Sequence, residues 1–193
     1  MDNKIYTFFQ TVYKCIQISI FFWLSLLKGV FIYSLIPSLS SLFRTVDDFL
    51  LQKDVQDIKE LFDQHFNKFR TYKLLSFTFS LLLIICWSSL FFLNKSESSY
   101  SLALTIVVVY LLVVIFIALI YFANYTAFRP LTVKQTLALS FYSLYRHLIH
   151  SLYVLFWTML FIWVAKLNLV FFIFFAPFLY GIAVRLSLKK ILK

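Results

Sequence analysis

Five mostly apolar runs, at 16–37, 74–93, 102–123, 148–165 and 169–186, decide what this chain can fold into. Each is close to the ~20 residues a helix needs to cross a hydrocarbon core about 30 Å thick. In lipid the backbone must satisfy its own hydrogen bonds, so such runs are helices or closed barrels. Their length and unbroken apolarity select helices. The expected fold is therefore all-α, a polytopic transmembrane bundle of about five spans forming a single membrane domain over 1–193. Composition agrees: 62% of residues are hydrophobic, 21% aromatic and 13% charged. A water-soluble domain carries about a quarter of its residues as Asp, Glu, Lys and Arg. Half that charge leaves apolar patches too wide for water. A soluble enzyme core, disorder and collagen-like repeats are all excluded.

The formal charge of +10 is read as membrane topology rather than nucleic-acid binding, because basic residues hold loops on the cytoplasmic side. Six Lys and Arg lie in 44–73, three in 129–146 (Arg129, Lys134, Arg146) and four in the tail. Against these stand Lys4, Lys14, Lys95 and Lys166. With five alternating spans, the bias predicts an N-terminus outside and a C-terminus inside. No small-residue cleavage site follows the first apolar run, so no secretory leader is expected. Lys166-Leu167-Asn168 alone joins the last two runs and forces a hairpin.

Between the spans lie two cytoplasmic amphipathic segments, 44–73 and 130–147. Over 54–70 a helix places Val55, Ile58, Leu61, Phe62, Phe66 and Phe69 on one face. Asp54 is its expected cap. That face either packs beneath the bundle or docks a partner protein, and the six acids of the loop make a purely lipid-binding role less apt. After Pro130, Thr132 and Gln135 form a T-x-x-Q capping box, and the helix is expected to run on into the fourth span. At the start of the chain, Ile5, Phe8, Phe9, Val12 and Ile16 suggest an interfacial helix. Trp23, Trp87, Tyr100, Tyr121, Tyr125 and Trp163 fall near the span ends, where aromatic rings favour the headgroup boundary. Pro37 and Pro177 mark kinks or helix ends, and Gly181 permits a close helix crossing.

Catalytic patterns are missing. With glycine only at 29 and 181, phosphate-cradling loops are impossible, and neither GxSxG nor HExxH occurs. No catalytic residue, cofactor or metal is expected, and the protein is read as a non-enzyme. Cys15 and Cys86 are read as small apolar-facing residues. Arg146, His147 and His150 form a candidate basic interfacial cluster without a third metal ligand nearby in sequence. Lys28 is the candidate intramembrane polar site: it lies some twelve residues into the first run, and no Asp or Glu within another run offers a counter-ion. The absence of midplane acids argues against a proton- or sodium-coupled carrier. The sequons Asn94-Lys95-Ser96 and Asn124-Tyr125-Thr126 hug the membrane and are read as unmodified.

The order of features resembles the YesL-like family of small bacterial integral membrane proteins, over roughly 16–192. The resemblance rests on Trp23 and on the exit Leu35-Ile36-Pro37-Ser38-Leu39-Ser40-Ser41-Leu42-Phe43. It continues in Leu61-Phe62-Asp63-Gln64-His65-Phe66-Asn67-Lys68-Phe69, in the stretch 137–150 with Arg146-His147-Leu148, and in a last span ending in Arg185 and Lys189-Lys190. The first span departs from the family pattern, which often has Asn as well as Gly there. The resemblance implies a place in a bacterial cytoplasmic membrane and, since members are commonly encoded beside carbohydrate-uptake transporters, an accessory role in sugar import.

Three functions remain open from sequence. The first is an accessory or scaffold component of a transport system, whose partners are the lipid bilayer and ABC transporter permease or ATPase subunits. The second is a small transporter or channel acting as a homo-oligomer, with a polar path lined by Lys28, Ser76, Thr78, Ser80 and Ser88. The third is a self-immunity membrane protein. No nucleic-acid partner is expected.

Overall fold

A computed structural model describes residues 2–51, 57–95, 100–189 and 191, with the side chains of 2–4 and 7 left aside. The chain is all-α, with no strand among the described residues. In order the helices are α1 (Asp2–Lys28), α2 (Leu35–Leu50), α3 (Ile58–Phe69), α4 (Lys73–Asn94), α5 (Ser101–Phe128), α6 (Val133–Arg146), α7 (Leu148–Leu167) and α8 (Leu169–Leu188). A single 3-10 turn at Arg70–Tyr72 links α3 to α4. Among the described residues, five stretches are long and apolar enough to cross a membrane: Phe8–Lys28, Ile58–Asn94, Ser101–Phe128, Leu148–Leu167 and Leu169–Leu188.

The first apolar run is not one span. It breaks after Lys28, where Val30 and Phe31 take positive φ of 52° and 59°. Left-handed backbone is disfavoured for any side chain and most of all for a β-branched one. Polar ties hold the turn in place. The Ile32 carbonyl accepts from Ser76 Oγ at 3.0 Å and Ser80 Oγ at 3.1 Å. Ser76 Oγ in turn accepts from the Ile36 N–H, and Ser34 Oγ donates to the Leu26 carbonyl. Gly29 is required here, because a Cβ would lie 2.5 Å from Ser34 Cβ. Pro37 kinks nothing: it sits in the first turn of α2, where its missing N–H leaves no gap.

α2 folds back against α1, with Ser25 Oγ 2.8 Å from Ser38 Oγ, and becomes the buried centre of the molecule. It packs against α1, α3, α4, α5 and α8. Gly181 of α8 lies under it, its missing Cβ leaving 3.0 Å to Val46 Cγ2, so the expected close crossing is formed. In lipid, apolar surface alone gives helices little reason to associate, so small residues and interhelical hydrogen bonds carry the packing. The Ser38, Ser40, Ser41 and Thr45 positions of α2 are all fully buried.

Pro177 does not end its helix, for α8 continues past it. A proline inside a helix frees the carbonyl four residues earlier and disturbs the next turn. Here α1 supplies partners. Trp23 Nε1 donates to the freed Ile173 carbonyl at 3.0 Å, and the Phe178 N–H donates to Ser19 Oγ at 3.3 Å. Rising numbers in α1 thus meet falling numbers in α8, so the two run antiparallel. Five alternating spans would make the first and last parallel. The return leg α2 thus brings the start of α1 and the end of α8 to one end of the bundle.

α6 keeps its predicted capping box, Gln135 N–H to Thr132 Oγ1 with Gln135 Oε1 reaching back to the Thr132 N–H. It does not run on into the fourth span. His147 leaves helical geometry (φ −116°, ψ 51°) and serves as the end of α6 and the start of α7. The N-terminal interfacial pattern is likewise part of a continuous α1, with Ile5, Phe8 and Phe9 exposed.

Candidate functional site

Two polar constellations stand out, and both are built by α2. At its C-terminal end, Asp47 and Asp48 lie inside the bundle rather than in a solvated loop. Arg185 Nε of α8 sits 2.7 Å from Asp47 Oδ1, each side chain 14% exposed. Asp48, 7% exposed, takes His65 Nε2 at 3.1 Å and Arg44 Nε at 3.5 Å. Both arginines lie over the Phe128 ring, at 3.9 Å for Arg185 and 5.7 Å for Arg44. Each carboxylate is neutralised by a neighbouring cation, and both guanidinium groups sit over one aromatic face. This joins α2, α3, α5 and α8 in one clamp. Its chemistry is that of a fastening, since no acid is left free to exchange a proton with a bound substrate.

Close by in the chain, Asn124, Thr45 and Thr126 bury side-chain atoms with no hydrogen-bond partner among the described residues. Asn124 is 1% exposed, so burial itself withholds its sequon from modification.

The second constellation lies at the other end of α2. Lys28, Gly29, Tyr33, Ser34, Asp63, Asn67, Arg70 and Lys73 are among the residues lining a cavity of about 590 Å³. Lys28 is corrected here: it is the last residue of α1, exposed, and paired with Asp63 Oδ1 of α3 at 3.3 Å. The break at 29–34 turns a mid-span position into a helix end. Arg70 and Lys73 make no ion pair among the described residues, so three cations face one carboxylate. The N-terminus of α2 adds its partial positive charge to the same side.

The candidate docking face is also corrected. Ile58, Phe62, Phe66 and Phe69 are buried and Leu61 is half-buried, with Phe62 against Phe21 of α1. Val55 and Asp54 lie outside the described residues; the cap of α3 is Asp57, whose Oδ1 accepts from the Lys59 and Glu60 N–H groups. Alternating apolarity told which face is buried, and packing against α1 and α2 used it up. What α3 leaves exposed is its other face: Lys59, Glu60, Gln64, Asn67 and Lys68.

The basic cluster is brought together at the α6–α7 junction. The His147 and His150 rings meet edge to face at 5.8 Å, and Arg146 donates to the Tyr142 hydroxyl. No group of three or more His, Cys, Asp or Glu suited to a metal occurs among the described residues. Of the expected boundary aromatics, Trp87, Tyr100 and Trp163 are exposed, while Tyr121 and Tyr125 are buried with hydroxyls on Ser151 and Ser143. The polar path suggested for a transporter is dispersed: Ser76 and Ser80 hold the α1–α2 turn, whereas Thr78 and Ser88 face outward. Sequence reading missed Asp47, Asp48, Arg185 and the turn. Their available signal was the close spacing of Ser38, Ser41 and Thr45, which marks a helix approached closely on that face.

No family model matches the chain, and no curated protein or solved structure matches it.

Proposed function

We propose that this protein is a non-catalytic membrane scaffold, an accessory component of a transport system, with sugar import as the class suggested by its YesL-like resemblance. The observation that carries the reading is the state of its ionisable groups. The buried acids are all spent on internal clamps, while charge of both signs is displayed on the outer face of α3. The interior offers little to a solute: Phe22, Phe43, Phe62, Phe79, Phe122 and Phe178 fill it. That speaks against an independent carrier, which keeps ionisable groups facing a wet cavity.

In this reading both termini are cytoplasmic. Lys4, Lys14, Arg185 and the other tail cations then join Arg129, Lys134 and Arg146 on one side, while Lys28, Arg70 and Lys73 at the α1–α2 turn and Lys95 and Lys166 at the two hairpin turns lie opposite. The membrane is the bacterial cytoplasmic one, and the partner is a permease or ATPase subunit held on the α3 face.

Gentle-detergent purification of the tagged protein at native expression, with mass spectrometry of what accompanies it, tests the proposal. Stoichiometric permease or ATPase subunits are expected, and the double charge reversal K59E/K68E should abolish their recovery while leaving helix content intact. Recovery of the protein alone, or partner recovery unchanged in the reversed variant, overturns it.

A further inference from the structure

We propose that the cavity at the α1–α2 turn binds a phosphate group, and that its natural source is the headgroup of an anionic phospholipid. Three features converge. Lys28, Arg70 and Lys73 line the cavity against a single acid, Asp63, so it carries an excess of positive charge. Asn67 and Tyr33 supply uncharged hydrogen-bonding groups around those cations. The lip of the cavity is apolar and exposed: Val30 is 71% exposed and Tyr33 45%, and Phe31 beside them in the chain is 48% exposed.

The lip distinguishes the source of the phosphate. A site for a free ion needs donors and no exposed apolar rim. Val30 and Phe31 are held outward in left-handed backbone by the Ser76 and Ser80 bonds to Ile32. Strain of this kind persists only where the surroundings enforce it, and it clusters at binding sites. Here it presents apolar side chains at the level of the cations, which is the arrangement a lipid meets: acyl chains against Val30 and Phe31, phosphate against Lys28, Arg70 and Lys73. The volume, about 590 Å³, falls in the range of ~300–1,000 Å³ typical of sites for drug-sized ligands, far more than one ion requires. Asp63 opposes the anion and holds Lys28 at 3.3 Å, so it tunes the affinity downward.

The full chain in neutral detergent micelles is titrated with short-chain phosphatidylglycerol, with the matching diacylglycerol lacking phosphate, and with inorganic phosphate, each read by native mass spectrometry. Phosphatidylglycerol should bind and diacylglycerol should not. The triple variant K28Q/R70Q/K73Q should weaken phosphatidylglycerol by about tenfold or more, a charge-assisted phosphate contact being one of the stronger hydrogen bonds. Asp63→Asn should tighten it, a gain that misfolding cannot produce. Inorganic phosphate that competes at similar concentration supports the phosphate site and makes the free ion its ligand; failure to compete supports the headgroup. Equal binding of diacylglycerol, or unchanged binding by the triple variant, or weaker binding by Asp63→Asn, overturns the proposal.

Discussion

Trp23 has a single polar atom, and the fold directs it to the carbonyl that Pro177 releases. Replacing it with Phe keeps the ring packed against Phe172 but leaves Ile173 O unpaired. A carbonyl orphaned where hydrocarbon rather than water surrounds it costs about 1–3 kcal/mol. The W23F variant is therefore expected to lose a few degrees of thermal stability in detergent, and the companion W23F/P177A should regain most of it, because alanine restores the helix's own N–H. Equal losses in both would show that the contact is packing alone. Further along α8, Arg185→Ala strands Asp47 of α2 in a site only 14% exposed. Breaking a buried pair from one side costs about 3–5 kcal/mol, less here because some water reaches it. The double variant D47A/R185A should be less destabilised than the sum of its parts, as checked by chemical denaturation.

Among the elements, α2 was the hardest to read from sequence and α5 the easiest. Lipid imposes a length and forbids charge, so a run such as 102–123 announces itself by composition. α2 is buried by protein on nearly all sides, which tolerates Ser, Thr and paired Asp. Its sequence LIPSLSSLFRTVDDFL therefore looks half span and half loop. The capping box of α6 was legible because it is made from residues three apart. The cap of α3 was displaced from Asp54 to Asp57 because several acids compete for that role in sequence, and helical geometry selects one. Asp57→Ala is expected to lower stability by about 1 kcal/mol, with loss of helicity confined to α3 in hydrogen exchange. The candidate site was legible only in Lys28. Its partner Asp63, and the cations Arg70 and Lys73, come to it from 35 or more residues away, through a turn that no periodicity reveals.

For the whole molecule, the antiparallel run of α1 and α8 fixes the relation of the two ends. Reporter fusions at either end, one fluorescent only inside the cell and one active only outside, are expected to give the same answer at both. Opposite answers would overturn the six-legged path in which α2 is the return stroke. In that path Lys4 and Lys14 change sides to join the majority, while Arg70 and Lys73 move with the α1–α2 turn to the opposite end.

The wedge at Pro177 also sets an order in time. Trp23 and Ile173 are separated by 150 residues, Ser19 and Phe178 by 159, and Asp47 and Arg185 by 138. While the ribosome is still making the middle of the chain, α1 and α2 already sit in the membrane or at its edge with their indole, hydroxyl and carboxylate unmatched. They are completed only when the last helix leaves the translocation channel. A nascent chain cut before α8 exposes those groups to lipid, the kind of defect that membrane proteases recognise, so the last helix to emerge acts as the seal by which a finished copy is told from a broken one.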